Sequence, residues 1–141
     1  MRKFEVVMEK YWDPLRKKKV AATPEERVRQ WFISFLRDKV GVPEHLMMSE
    51  VGMKSGRKTY RADILVYSRS GSPLAVVECK RPDVELTDTV VEQALRYNMV
   101  LGVRHIFLTN GERTLLFSRN STSEEKFTPS SRVPDFDTMQ K

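Results

Sequence analysis

Two carboxylates and an ammonium group stand close together in RADILVYSRSGSPLAVVECK, residues 61–80. Two apolar runs, 62–67 and 74–79, flank a polar loop containing Gly71 and Pro73, which is the pattern of a β-hairpin. Folding symmetrically about Ser70 and Gly71 sets Asp63 opposite Glu78. Opposed like charges destabilise an antiparallel pair, so a chain that keeps them there implies a cation nearby. Glu78 and Lys80 fall on one face of their strand, while Cys79 points to the other. A hard cation such as magnesium takes one or two carboxylates together with water and phosphate oxygens. Lys80 beside it could polarise an attacking water or stabilise charge developing on a phosphate. The competing interpretation is a surface hairpin whose acids and lysine face water and pair with one another.

The elements that must hold these groups follow from the patterning on either side. Residues 1–22 form an N-terminal arm, with an extended piece at residues 4–8, a loop at Asp13 and Pro14, and a basic run from Arg16 to Lys19. Thr23, Pro24 and Glu26 mark a helix start with a capping box. Val28, Trp31, Phe32, Phe35 and Leu36 give that helix an apolar stripe, and it ends near Val40 and Gly41. Of the two acids at its start, Glu25 lies nearer the stripe and is the better candidate to reach the sheet, while Glu26 points sideways or away. Both could instead serve only the helix dipole. Residues 47–54 form a strand in which Glu50 either faces solvent or adds a further acid. After the hairpin, Thr87 or Thr89 caps a second helix running to about Leu101, with Gln93 and Tyr97 together on one face. Residues 104–109 form a short strand, Asn110 and Gly111 a two-residue turn, and 112–118 its partner strand. The path from Leu74 through the second helix to Thr109 is long enough for a parallel crossover. The expected fold is α/β: a mixed β-sheet flanked by helices, over a core of residues 23–118. Residues 119–141, rich in Ser, Thr, Pro and charge, read as an irregular tail.

Composition narrows the partners. A chain of 141 residues with 40% hydrophobic and 31% charged residues supports one folded domain with a real core. A net charge of +6 favours a polyanionic partner, and Lys54, Arg57, Lys58 and Arg61 concentrate part of it just before the acidic hairpin. One cysteine excludes an internal disulfide, and with two histidines there is no basis for a zinc site. No apolar stretch reaches membrane-span length and the N-terminus lacks the apolar centre of a secretory signal, so the expected location is the cytoplasm.

Asp63 followed by Glu78-Cys79-Lys80 resembles the PD-(D/E)xK nuclease core, with Ala62 in place of the usual proline. Gln93-Ala94-Leu95-Arg96-Tyr97 resembles the Q-x-x-x-Y element of the RecB-like branch. The stretches TPEERVRQ, YRADILVYSRSGSPLAVVECKRP, EQALRYN and LTNGE together resemble the N-terminal nuclease domain of type I restriction enzyme R subunits. The resemblance implies a restriction-endonuclease-like α/β sandwich and Mg²⁺-dependent cleavage of DNA, with Mn²⁺ as a substitute. It implies metal binding by Asp63, Glu78 and the Cys79 carbonyl, handling of the water by Lys80, and a first-helix acid at Glu25 or Glu26. Gln93 would orient the site or contact DNA, supported by Tyr97, while Lys54, Arg57, Lys58 and Arg61 hold the DNA backbone. Unlike full-length R subunits, the chain has no G-x-x-x-x-G-K-[ST] sequence, so ATP-driven translocation is not expected of it. Two alternatives stand beside the nuclease: a non-catalytic DNA-binding or assembly subunit, and a structure-selective resolvase of branched DNA. Other restriction or repair subunits, and a second copy of the chain, are the further candidate partners.

Overall fold

The computed structural model describes residues 9–122 and 126–141; the extended piece expected at residues 4–8 lies outside them. The chain opens with a small antiparallel hairpin, β1 (Lys10–Asp13) and β2 (Lys18–Ala21), followed by α1 (Pro24–Phe35). A π-helical turn, Leu36–Val40, prolongs α1 and stops at Gly41, whose φ of 88° supplies the left-handed conformation that closes the helix. Then come β3 (Met47–Ser55), β4 (Lys58–Tyr67), β5 (Pro73–Cys79), α2 (Asp88–Asn98), β6 (His105–Thr109), β7 (Thr114–Ser118), β8 (Thr128–Ser130) and α3 (Phe136–Met139).

The last six strands form one sheet in the order β3-β4-β5-β6-β7-β8. Its β5–β6 pair is parallel, joined through α2, and its other neighbouring pairs are antiparallel. The mixed sheet with flanking helices is the α/β architecture anticipated above. The hairpin register also holds: Ile64 pairs with Val77, Leu65 with Val76 and Val66 with Ala75. One residue of irregularity at Tyr67 is confined to the loop end, so it leaves the Asp63 end in register.

The buried strand centres are apolar on both faces, as a covered sheet requires. On one face Phe32 of α1 and Leu36 of the π-helical turn are fully enclosed against Ile64, Val77 and Phe107, with the Phe32 and Phe107 rings edge to face at 5.3 Å. Enclosing a side chain of this size is worth about 1.5–3 kcal/mol. On the other face Leu65, Val76 and Ile106 pack with Leu101 and Val103, and α2 lays Ala94 against Leu108 and Leu86. Trp31, expected in the α1 stripe, stays 46% exposed; Ile33 is buried in its place, and Trp31 stacks on Phe35 at the rim.

Four local expectations are corrected. The β6–β7 connection is not a two-residue turn but spans residues 110–113. There Asn110 Oδ1 accepts from the N–H groups of Glu112 and Arg113, folding the loop on a side chain. The second helix stops at Asn98, three residues early, and Thr87 is its cap. The loop around Asp13 and Pro14 joins paired strands, and Asp13 is fully buried by accepting from the N–H of Leu15 and from Arg16. Residues 119–141 are not simply an irregular tail: β8 pairs with β7, and α3 buries Phe136 and Met139 in the main core. His105 fastens α3, since Met139 O accepts from Nε2 at 3.0 Å and Nδ1 then accepts from Ser118 Oγ at 2.7 Å. Among the described residues, no helix is long and apolar enough to cross a membrane.

Candidate active site

At the C-terminal end of β5 the sheet opens into a cleft of about 490 Å³. It is lined by Glu25 from α1, Arg61 and Asp63 from β4, Glu78 and Cys79 at the end of β5, and Lys80 just beyond. Gln93 and Tyr97 close it from α2. The structure thus gathers residues separated by up to 72 positions in the chain.

Asp63 is fixed from two sides. Its Oδ2 accepts from the backbone N–H of Cys79 at 2.7 Å, and its Oδ1 accepts from Arg29 Nη2 at 3.1 Å. Burial is the strongest influence on this carboxyl and raises its pKa, against the opposing pull of the Cys79 N–H and Arg29. Glu78 uses both oxygens: Oε1 accepts from Asn98 Nδ2 at 3.0 Å, and Oε2 lies 3.0 Å from Lys80 Nζ. Burial also raises the Glu25 pKa, reinforced by the charge of Asp63. The Cys79 side chain is buried away from solvent, and burial pushes its thiol pKa well up; any part it plays in the cleft belongs to its backbone.

Glu26 does not point away from the protein. It is 6% exposed, tied to Arg16 and held by Arg29 Nη1 at 3.0 and 3.1 Å. The capping box is therefore half made: Thr23 Oγ1 accepts from the Glu26 N–H, but the Glu26 carboxylate turns inward to the arginines. Glu50 likewise does not simply face solvent. It stands in the β3 row across from Asp63, bound to Arg29 at 2.7 Å and to Arg61. Its φ of 56° is a left-handed conformation in mid-strand, a strain of about 1–3 kcal/mol of the kind that gathers at functional sites.

The basic run divides. Arg61 reaches the cleft, but Lys54, Arg57 and Lys58 are exposed at the tip of the β3–β4 hairpin and do not line it. Tyr97 accepts from the Arg61 backbone N–H at 2.9 Å and packs edge to face on Tyr60 at 4.9 Å. Two residues at the centre of this arrangement escaped sequence reading. Arg29 is 4% exposed among the acids, and Asn98 is 1% exposed behind Glu78. The i+3 and i+4 spacing of Arg29 from Glu26 and Glu25 was the available signal.

The donor set of the cleft bears on whether a divalent ion fits it. Among the described residues no three His, Cys, Asp or Glu side chains form a ready metal-holding group. Asp63, Glu50 and Glu25 converge on Arg29 instead. Asp63 and Glu78, on neighbouring strands, still offer the one or two hard carboxylates that magnesium uses alongside water and phosphate. The ion pairs running from Asp13 through Arg16, Glu26 and Arg29 to Arg61, with the Glu78–Lys80 pair, join six carboxylates to four cations. That excess lies partly outside the cleft, whose own lining sets Glu25, Asp63 and Glu78 against Arg61, Lys80 and Arg81.

The same architecture occurs in solved structures. A fragment of a candidate HsdR subunit of a type I restriction enzyme from Vibrio vulnificus YJ016 superposes with a TM-score of 0.57 at 22% identity. That match covers 84% of this chain and 25% of the Vibrio chain, so this chain spans about a quarter of that relative's length. A candidate nuclease of DUF820 from Anabaena variabilis ATCC 29413 gives a TM-score of 0.51 at 14% identity, covering 92% of this chain and 83% of that one. At these identities the likeness concerns the fold. Comparison with curated protein sequences finds no match. Residues 24–134 match the family described as type I restriction enzyme R protein N terminus, and the chain belongs to that family.

Proposed function

We propose that this chain is a Mg²⁺-dependent DNA endonuclease that hydrolyses phosphodiester bonds. The observation that carries the reading is the meeting of Asp63, Glu78 and Lys80 in one cleft, with Glu25 facing them from α1. Membership of a restriction-enzyme R-protein family and the fold shared with a candidate nuclease agree with it. Asp63, Glu78 and the Cys79 carbonyl would hold the magnesium ion, which when bound would supply the positive charge for activating water and stabilising the phosphate oxygens. Manganese substitutes for it.

The protein's own groups divide the remaining work. Lys80, 3.0 Å from Glu78, positions the water and offsets charge on the phosphate in the transition state. Glu25 adds a second-side acid from α1, and Gln93 orients the site from α2 with Tyr97 behind it. Arg61 borders the cleft, while Lys54, Arg57 and Lys58 hold the DNA backbone farther out, positioning without reading sequence. Within these 141 residues there is no G-x-x-x-x-G-K-[ST] sequence, so the proposed activity of this stretch is cleavage rather than translocation. Restriction or repair subunits are its natural companions, and its compartment is the cytoplasm.

Nicking of supercoiled plasmid tests the reading. The wild-type chain is expected to nick in magnesium or manganese and not in EDTA. Asp63→Ala and Glu78→Ala are expected to abolish nicking, and Lys80→Ala to lower it about 10²–10³-fold. Plasmid binding without metal-dependent nicking contradicts the proposal and supports a non-catalytic assembly subunit. Cleavage confined to four-way junctions supports a resolvase.

A further inference from the structure

Three carboxylates from three different elements surround one nitrogen atom. Arg29 Nη2 lies 2.7 Å from Glu50, 3.1 Å from Asp63 and 3.7 Å from Glu25. Converging carboxylates of this kind are the donor set of a hard cation, yet here a guanidinium fills their centre. The side chain is enclosed at 4% exposure, with its Nε buried and without a hydrogen-bond partner among the described residues. A guanidinium does not lose its proton in a protein, so this positive charge is permanent. Glu78 bonds instead to Lys80 and accepts from the Asn98 amide.

Enzymes that use two metal ions set them about 3.5–4 Å apart across a shared carboxylate. Asp63 is the carboxylate that could be shared, but its Oδ1 already faces Arg29. A second divalent ion would have to displace Arg29 from the carboxylates it already holds. We infer that Arg29 is a positioning residue that occupies the second cation position of the cleft, orients Asp63 through Oδ1 and limits the site to one divalent ion. This rests on the reading of the cleft as a divalent-metal site.

Bound ions are counted by titrating the full chain with manganese chloride and following the EPR signal of free Mn²⁺. Wild type is expected to bind one ion per chain, Arg29→Lys one, and Arg29→Met two. Thermal melting supplies a second readout. Arg29→Met should melt lower than wild type without metal and recover most of that loss in manganese, which loss of packing alone would not allow. If Arg29→Met is unfolded without metal, refolding on addition of manganese supports the inference and failure to refold overturns it. Two ions on wild type, or one ion on a folded Arg29→Met chain, overturns the inference and leaves the metal site standing. No bound ion on wild type removes the metal site itself, and the inference with it.

Discussion

The backbone N–H of Cys79 donates to Oδ2 of Asp63 at 2.7 Å, linking the acid of β4 to the residue between Glu78 and Lys80. One hydrogen bond thus sets the spacing of the two strands at the point where their polar groups emerge. A carboxylate so held is not free to rotate toward solvent, and its position is coupled to that of its neighbours on β5. Asp63→Asn can keep this bond through its amide oxygen, but it removes the charge that Arg29 and a bound ion require. The fold should survive this change and divalent-ion binding should not. Circular dichroism and manganese titration of Asp63→Asn separate the two outcomes.

Asn98 should matter more than its place at a helix end suggests. Its amide donates to Glu78 Oε1 at 3.0 Å and to Ala94 O at 2.8 Å, from a position 1% exposed. Asn98→Ala strands a partly buried carboxylate oxygen, a loss of about 1–3 kcal/mol. A urea titration should register that destabilisation, and plasmid nicking should fall with it. Asn98→Asp should be worse, because it sets a like charge against Glu78.

Acid should loosen α3. Burial lowers the His105 pKa from its ordinary 6.5, so the unfolded chain takes up the proton more readily than the folded one. Stability from this group is fully present above about pH 6.5 and is lost as pH falls through the lower folded pKa. Urea midpoints measured from pH 7.5 down to 5 should decline for wild type. In His105→Gln, whose amide can both donate and accept but does not titrate, that part of the decline should vanish.

The exposed cations of the β3–β4 hairpin should act by charge alone. Replacing Lys54, Arg57 and Lys58 with Gln should weaken DNA binding about equally for unrelated sequences. The slope of log affinity against log salt should fall by about one for each phosphate that is no longer neutralised. Arg61→Gln should behave differently, because Arg61 borders the cleft and pairs with Glu50. An unchanged salt slope in the triple variant would exclude the hairpin tip as a phosphate track.

Much of this arrangement is legible in the sequence because it depends on short-range periodicity. Alternation and a near-symmetric loop place Asp63 opposite Glu78, and the Thr23 cap and apolar spacing define α1. What stays hidden is tertiary. Arg29 looks like an ordinary helix-surface partner of Glu25 and Glu26, and only packing of α1 on the sheet brings it to Asp63, 34 residues away. Glu26 reads as an outward residue on a helical wheel, but two arginines neutralise it and allow its burial. Glu50 leaves no sequence mark of its left-handed backbone. Phe136 and Met139 are two apolar residues in a polar stretch, too few for a periodic signal, yet both insert into the main core.

The most direct measurement is anomalous diffraction from a crystal of the wild-type chain soaked in manganese. A single ion per chain is expected, with carboxylate oxygens of both Asp63 and Glu78 in its first shell and Arg29 still bound to Asp63. A cleft without an ion at saturating manganese, or an ion held elsewhere with neither carboxylate attached, would contradict a metal-dependent site at the end of β5.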